Sequence, residues 1–428
     1  MTNTIAIFGL LVVLMAIGMP VGVALGLTVL SFMFLFTDVP LESVALKMFT
    51  GIEKFEIMAI PFFILAGNFL THGGVARRMI NFATAMVGHL RGGLGMSAVL
   101  ACALFAAVSG SSPATVVAIG SILIPAMIKQ GYPLRFGAGV VASAGGLGIL
   151  IPPSIVMVMY SVTTNTSVGA LFMAGVIPGL LLAFMLGLCT WYVAQKNNYP
   201  TLARTSWADR MKHFRKAFWG LMLIVVVMGG IYSGMFTPTE AAAMSAVYAF
   251  FIAVFVYKDL TFKQIPRVLL DSANMSAMLL FIIASAVLFS FILTSEQIPQ
   301  RMADAIVASG MGPIGFLIVV NILLLVAGAL MEPSSIILIL APILFPVAVA
   351  LGIDPIHFGV MIVVNMEIGM ITPPVGLNLF VASGITKAGL TEMSKAVMPW
   401  LWTMLIFLMM ITYIPSISTF LPKALGMM

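Results

Sequence analysis

The sequence predicts an all-α polytopic membrane protein of roughly ten spans plus two re-entrant hairpins, arranged as inverted repeats. Three observations carry that expectation. Of the 428 residues, 61% are hydrophobic and 8% charged, where a soluble domain carries about 25% charged residues. Apolar runs follow one another along the whole chain, most of them close to the ~20 residues a span requires. The two halves also repeat each other's proline and glycine punctuation while carrying opposite charge at their flanks. Such a composition excludes a soluble enzyme, a nucleic-acid binder and a disordered scaffold. The net charge of +6 is then a matter of topology, because basic residues gather in cytoplasmic loops.

The first apolar run, Ile5 to Phe36, is interrupted at Pro20. Nothing before it resembles a cleavable leader, so it is expected to be retained. Read as a turn, Pro20 makes two short spans and puts both termini outside. Read as a kink, it makes one span and puts the N-terminus inside. A likeness to Pro238 favours the turn. Asp38, Glu42, Glu53 and Glu56 make the following stretch acidic, which suits the periplasmic side and a docking partner there.

Next come Phe55 to Leu70, the amphipathic stretch Val75 to Arg91, and Gly92 to Met127, which is broken near Gly110. Phe136 to Val162 and Val168 to Val193 complete the first half. The second half holds Phe218 to Tyr232, Ala241 to Tyr257, Ala273 to Leu293, an amphipathic stretch Gln297 to Ser309, and the broken run Ile314 to Ala350. Phe358 to Val381 and Ala396 to Phe420 end it. The amphipathic stretches read as interfacial helices. No long polar linker divides the chain, so residues 1–428 form a single membrane domain.

Its halves correspond. Pro113 lies 220 residues before Pro333, and Pro152, Gly148 and Pro178 lie 221 before Pro373, Gly369 and Pro399. Pro20 lies 218 before Pro238. Residues 5–195 are therefore expected as one copy, 217–420 as the other, and 196–216 as a cytoplasmic connector carrying Lys196, Arg204, Arg210, Lys212, Arg215 and Lys216. Arg77, Arg78, Arg91, Lys129 and Arg135 flank the first broken run without an acid. Glu296, Arg301, Asp304 and Asp354 flank the second. The excess of cations places the first flank in the cytoplasm and the second outside. Both placements agree if each broken run is a re-entrant hairpin, and inverted repeats with broken helices mark a secondary transporter.

The chemistry sits at the breaks. The first tip reads Ser109-Gly110-Ser111-Ser112-Pro113-Ala114-Thr115. Non-helical backbone at membrane depth survives only against protein or a wet cavity. Ser111 and Ser112 are expected to cap the helix that follows, with Pro113 in its first turn. The remaining hydroxyls and carbonyls are hard oxygen ligands for an alkali cation. The second tip reads Met331-Glu332-Pro333-Ser334-Ser335. Glu332 has three readings: a helix cap, a proton carrier, or a brace for the tip.

Each tip is followed by a broken helix. The first runs from Gly145 through Gly148 to Pro152-Pro153-Ser154, and the second from Asn365 through Glu367, Gly369 and Thr372 to Pro373-Pro374 and Asn378. A double proline cannot continue the helical ladder. Pro152 and Pro373 are thus the hinges, and carbonyls around Gly148–Ile151 and Gly369–Thr372 are freed to face a cation. The half-helices that start after each pair offer N–H groups to an anion. Glu367 is either a cation ligand or a brace for its break. Cys102 and Cys189 form no disulfide or zinc pattern, and no catalytic motif such as HExxH is present, so an enzyme is not expected.

The motifs in order, Ser109–Pro125 (SGSSPATVVAIGSILIP), Gly145–Ser154 (GGLGILIPPS), Met331–Ala348 (MEPSSIILILAPILFPVA) and Ile371–Val381 (ITPPVGLNLFV), resemble the large membrane subunit of tripartite ATP-independent periplasmic (TRAP) transporters of the DctM/SiaM type. The resemblance covers nearly the whole chain. It implies the ion-transporter superfamily fold, in which a transport domain moves as an elevator against a scaffold domain. It implies sodium-coupled uptake, across the bacterial inner membrane, of an organic acid such as a C4-dicarboxylate, 2-oxo acid or sialic acid. It also implies two or more sodium ions and no organic cofactor. Carried onto this chain, one sodium site would use Ser109, Gly110, Ser111 and Ser112 with Gly145 and Gly148. The other would use Glu332, Pro333, Ser334 and Ser335 with Gly369 and Thr372. Substrate would lie near Pro153, Ser154, Pro374 and Asn378. The implied partners are a periplasmic binding protein and a small four-helix membrane subunit, expected as a separate chain because no such segment precedes this one. A stand-alone symporter of the same superfamily is the alternative.

Overall fold

The computed structural model describes residues 2–37, 40, 42–308 and 310–428. Asp38, of the acidic stretch, and Ser309, at the end of the second amphipathic stretch, lie outside the described residues. Every regular element among the described residues is helical.

The first half opens with α1 (Thr2–Ala16) and α2 (Val21–Phe36), with Pro20 at the N-cap of α2. Two helices therefore flank Pro20, whose ring fits a helix start and not a helix interior. Then come α3 (Glu42–Ile52), a 3-10 turn at Phe55–Met58, α4 (Ala59–His72) and α5 (Val75–Val87). α6 (Gly93–Ser109) and α7 (Ser112–Lys129) pack together across a break at Gly110 and Ser111. α8 (Leu134–Ala144) and the short α9 (Leu147–Leu150) are followed by α10 (Ile155–Thr164), bent 41° away across the double proline. α11 (Val168–Lys196) closes the half.

The second half begins with α12 (Trp207–Tyr232) and α13 (Pro238–Phe251), which runs on into a π-helical turn, Ile252–Val256. α14 (Ile265–Ser295) and α15 (Ile298–Ala308) follow. α16 (Pro313–Leu330) and α17 (Pro333–Ala350) pair across the second tip. α18 (Pro355–Gly369) and α19 (Leu377–Thr386) flank the second double proline, and α20 (Leu390–Tyr413) and α21 (Ser416–Ala424) end the chain. Among the described residues nine helices are long and apolar enough to span, or ten with the bent pair. The protein is an all-α, multi-span membrane protein.

Part of the expected connector is helical. Ser206 accepts from the Asp209 N–H at the N-cap, so α12 starts 11 residues before the apolar run at Phe218 and carries Arg210, Lys212, Arg215 and Lys216 on its first turns. Charge stopped the hydropathy reading, but helix propensity and a good cap continued the helix.

Small residues set the close packing, as expected where lipid removes the hydrophobic drive between helices. A Cβ on Gly22 would lie 2.9 Å from the Phe281 ring, and one on Gly51 2.9 Å from Val287, so α2 and α3 lie close against the long α14. A Cβ on Gly139 would collide with the Ala396 carbonyl, so α8 and α20 lie equally close. Buried polar groups mostly find partners inside the protein. The Trp400 indole donates to Thr190 at 2.9 Å, and Asn365, Asn321 and Thr412 form a side-chain ladder across α18, α16 and α20 at 2.8 and 3.0 Å.

Candidate functional site

The first tip is built by a sharp reversal. Gly110 takes φ +61° at the end of α6, a conformation that favours glycine. A Cβ there would also lie 2.9 Å from the Pro153 carbonyl. Ser109 Oγ meets Thr115 Oγ1 at 2.9 Å, and Thr115 donates to the Ser111 carbonyl at 2.8 Å, which holds the reversal shut. The capping expectation is corrected here. Ser111 occupies the N-cap of α7, but its side chain makes no capping bond. Ser112 Oγ instead accepts from Asn378 Nδ2 at 2.8 Å. Asn378 competes for the hydroxyl because α19 packs against α7, a contact far apart in sequence.

The second tip does cap its helix. Glu332 stands at the N-cap of α17 and accepts from the Ser335 N–H at 3.1 Å and the Ser335 hydroxyl at 2.9 Å. Of its three sequence readings, the cap is the one the geometry displays.

The breaks press against the tips. At the first, a Cβ on Gly148 would lie 2.6 Å from the Ser111 carbonyl and 2.9 Å from the Ser112 nitrogen. Gly145 packs instead against Val116 of α7, a turn below the tip. Ser154 caps α10, accepting from Met157 N–H, and its hydroxyl donates to the Ile149 carbonyl at 2.6 Å. At the second break Gly369 lies against Gly328 of α16. Thr372 donates back to Ile368 at 2.7 Å, and the Val375 N–H to Ala329 at 3.0 Å. Gly376, with φ +51°, starts α19, and Asn378 N–H reaches Met370 at 2.9 Å. Both double prolines, Pro152-Pro153 and Pro373-Pro374, contain a cis bond.

Between the tips lies a cavity of about 370 Å³. Gly110, Ser111 and Ser112 wall one side, and Glu332, Pro333 and Ser334 the other. Its walls therefore include the starts of four helices, because Ile155 of α10 and Leu377 of α19 join those of α7 and α17. Four helix starts on one space bring positive dipole ends to it, a setting for an anion, while the Glu332 carboxylate stands at the α17 start and the first-turn N–H groups of Ile155, Ser335 and Asn378 are already bonded within the protein. Among the described residues no Lys, Arg or His lines this space.

Among the sequence-derived residues, the structure brings together Gly110, Ser111, Ser112, Glu332, Pro333 and Ser334 on the cavity, with Met370 beside them from the second break. Ser109, Gly148, Pro152, Pro153, Ser335 and Gly369 are buried outside the lining, whereas half-buried Thr372 and exposed Pro373 and Pro374 lie off the cavity altogether. Ser154 and Asn378 stand behind the wall, fully buried, with hydrogen bonds spent on holding the breaks and tips in place. Met275, Met278 and Leu279 of α14 also line the cavity. Sequence reasoning missed them, since nothing in a uniformly apolar run singles them out.

Glu367 is 0% exposed and neither carboxylate oxygen has a hydrogen-bond partner. Its side chain lies over Gly146, whose Cβ would stand 2.4 Å from Glu367 Cγ. It therefore bridges the two broken helices. Asn378 Nδ2 reaches the Ala142 carbonyl at 3.1 Å, one turn along the same segment.

Residues 8–417 match the family described as "Tripartite ATP-independent periplasmic transporter, DctM component". The chain is 67% identical, over 99% of its length and 100% of the relative's, to the C4-dicarboxylate TRAP transporter large permease protein DctM of Rhodobacter capsulatus. It is 56% identical, over 94% of this chain and 95% of the relative, to the protein of that name in Pseudomonas aeruginosa. Among solved structures, the YdaH transporter of Alcanivorax borkumensis is similar in fold, with a TM-score of 0.61 over 92% of this chain and 90% of the other at 17% identity.

Proposed function

The chain belongs to the family of the DctM component of tripartite ATP-independent periplasmic transporters, an integral protein of the bacterial inner membrane, and from that premise we propose that it carries C4-dicarboxylates inward on a sodium gradient. The observation that carries the reading is the cavity on which four helix starts converge. A small dianion in it would face the positive dipole ends of α7, α10, α17 and α19, which favour negative charge without a fixed cation. The relatives' named substrate supports a C4-dicarboxylate over a sialic acid.

On this reading each tip and break hold one sodium ion by oxygen. Ser109 to Ser112 would act with Gly145 and Gly148, and Glu332 to Ser335 with Gly369 and Thr372. Hydroxyl and carbonyl oxygens at helix C-terminal ends suit an alkali cation. Bound sodium would draw the tips onto the breaks and so complete the anion site between them, which couples the two. Ser154 and Asn378 act as positioning residues, and Pro153 and Pro374 fix the starts of the half-helices.

The inverted-repeat reading is supported by the matching element order around the two breaks. A paired hairpin, a broken helix and a long closing helix occur in both halves, with hairpin arms α7 and α17 of 18 residues each and half-helices α10 and α19 of 10 each. We place the hairpins and broken helices in a moving domain, with α14 and its partners α2, α3 and α4 as scaffold. A separate small membrane subunit and a periplasmic binding protein complete the assembly.

Uptake of a labelled C4-dicarboxylate into proteoliposomes, with both partners and an inward sodium gradient, tests the proposal. Uptake that needs the gradient and the binding protein is expected. Uptake with the gradient alone would point to the stand-alone symporter, and uptake without sodium would overturn the coupling.

A further inference from the structure

The central cavity is not closed on the side of α7. Val117, one turn along that helix from the tip, also lines a second cavity of about 260 Å³ with Ser121 and Ile122. That cavity reaches Arg77 of α5, which in turn lines a third, of about 430 Å³, with Arg78, Arg215 and Lys216. Neighbouring spaces share the wall residues Val117 and Arg77, so the three lie in series. From Ala114 to Ser121 the path descends about 10 Å along the helix at 1.5 Å per residue. The direction is toward Lys129 at the α7 end, the flank that the excess of cations assigns to the cytoplasm.

The face of α7 that follows this path is open. Val117 is 47% exposed and Ile122 37%, whereas Val116, Ile119 and Leu123 on the opposite face are fully buried. The charges at the lower end are unequal. Arg78 is ion-paired with Asp259 and stacks on Tyr257, its guanidinium 3.8 Å from the ring centroid. Arg77, on the neighbouring position, is exposed and has no ion-pair partner among the described residues.

Resting on the dicarboxylate reading of the cavity, we infer that substrate leaves it for the cytoplasm along the Val117–Ser121 face of α7, into a basic vestibule lined by Arg77, Arg215 and Lys216, none of which has an ion-pair partner among the described residues. The central cavity holds the anion with helix dipoles and has no fixed cation. The vestibule supplies formal positive charge one step further on. A dianion moving down α7 therefore passes from partial to full charges across a short apolar stretch at Val117, with Ser121 as the polar step before Arg77. The cations focus anions at the mouth and speed exchange there. That effect weakens with salt, because the mouth is open to solvent and screening acts within about 10 Å at 0.1 M.

Two measurements test this. In a Cys189→Ser background, where Cys102 is fully buried, Ser121→Cys and Val117→Cys are exposed to a membrane-impermeant thiol reagent in inside-out and right-side-out vesicles. The inference expects labelling at both positions in inside-out vesicles only. Leu180→Cys, on an exposed apolar face of α11, should stay unlabelled as the lipid-facing control. No labelling at Ser121→Cys and Val117→Cys would mean that lipid covers this face of α7, and labelling from outside would reverse the path. Either result overturns the inference. The second measurement is efflux from loaded proteoliposomes. Arg77→Gln should raise the internal KM by roughly 10-fold, the low end of electrostatic focusing, and Arg77→Lys should restore it. The external sodium dependence of uptake should stay unchanged. An unaltered internal KM would remove Arg77 from the path. If wild-type protein moved no dicarboxylate, the proposed function would fall, whereas the thiol result would still decide whether the path exists.

Discussion

Gly148→Ala should weaken the proposed first sodium site while leaving the protein folded. The added Cβ would lie 2.6 Å from the Ser111 carbonyl oxygen, 2.7 Å from its carbon and 2.9 Å from the Ser112 nitrogen. All three are backbone atoms of the tip, so no side chain can rotate away. To restore ordinary contact at 3.4 Å, the tip must retreat by about 0.8 Å from the break. Overpacking of this kind costs about 1–3 kcal/mol. If that cost falls on the ion-bound arrangement, it weakens sodium binding by roughly 5- to 150-fold, at 1.4 kcal/mol per tenfold. The assay is initial uptake of labelled dicarboxylate against sodium concentration, with surface-normalised protein. Gly384→Ala serves as the control, because its Cβ would meet nothing within 4 Å on α19. Half-saturation by sodium should rise in the first variant and stay put in the second. A Gly148→Ala protein with wild-type sodium dependence would refute the argument that this contact holds the tip on the break.

Three further outcomes are expected. Asn378→Leu removes the bond to Ser112 and the one to the Ala142 carbonyl, at a cost on the order of 1–3 kcal/mol, so uptake should fall at least 10-fold with dicarboxylate KM raised; an unchanged KM in that variant would show that α19 does not position the tip. Glu332→Ala loses the N-cap of α17, worth about 1 kcal/mol, and should slow uptake several-fold, while Glu332→Gln, which keeps an acceptor, should recover most of it; equal loss in both would mean that the charge and not the cap is needed. Asn321→Leu removes the ladder bonds of Asn365 and Thr412, leaving each only its bond to a carbonyl of its own helix, and should lower the melting temperature in detergent, with transport per folded molecule nearly unchanged; a variant as stable as wild type would show that the ladder across α16, α18 and α20 contributes nothing.

Much of the architecture is legible in one dimension. Apolar runs mark the helices because a bilayer admits only backbone that satisfies itself. The double prolines mark Pro152 and Pro373 as breaks because the ring excludes the helical bond wherever it sits. Tips and breaks rich in Ser, Gly and Pro announce non-helical turns, and positive φ values indeed fall on Gly110 at the first tip and on Gly376 at the second break. Helix ends were less legible. α12 begins at Trp207, in the basic connector, because a cap and helix propensity act where hydropathy is silent.

Local rules failed at the tips for an instructive reason. Ser111 in front of Pro113 reads as a cap from sequence, but a cap is one of several partners a hydroxyl can take. Ser112 is engaged by Asn378, 266 residues away. The same holds for Ser154, whose hydroxyl closes its own break, and for Glu367, which overlies Gly146.

The membrane class, the places of the helices, the two tips and the two breaks can all be read along the chain, because each follows from the chemistry of a few consecutive residues. Folding in three dimensions is what brings four helix starts onto one cavity, sets Ser154 and Asn378 to brace it from behind, and makes α14 and an exposed face of α7 part of its walls. Those facts depend on which distant segments pack together. Packing of near-uniform apolar surfaces is set by the shapes of small residues, Gly22, Gly51, Gly148 and Gly369 among them, and shape complementarity leaves no trace in composition or periodicity.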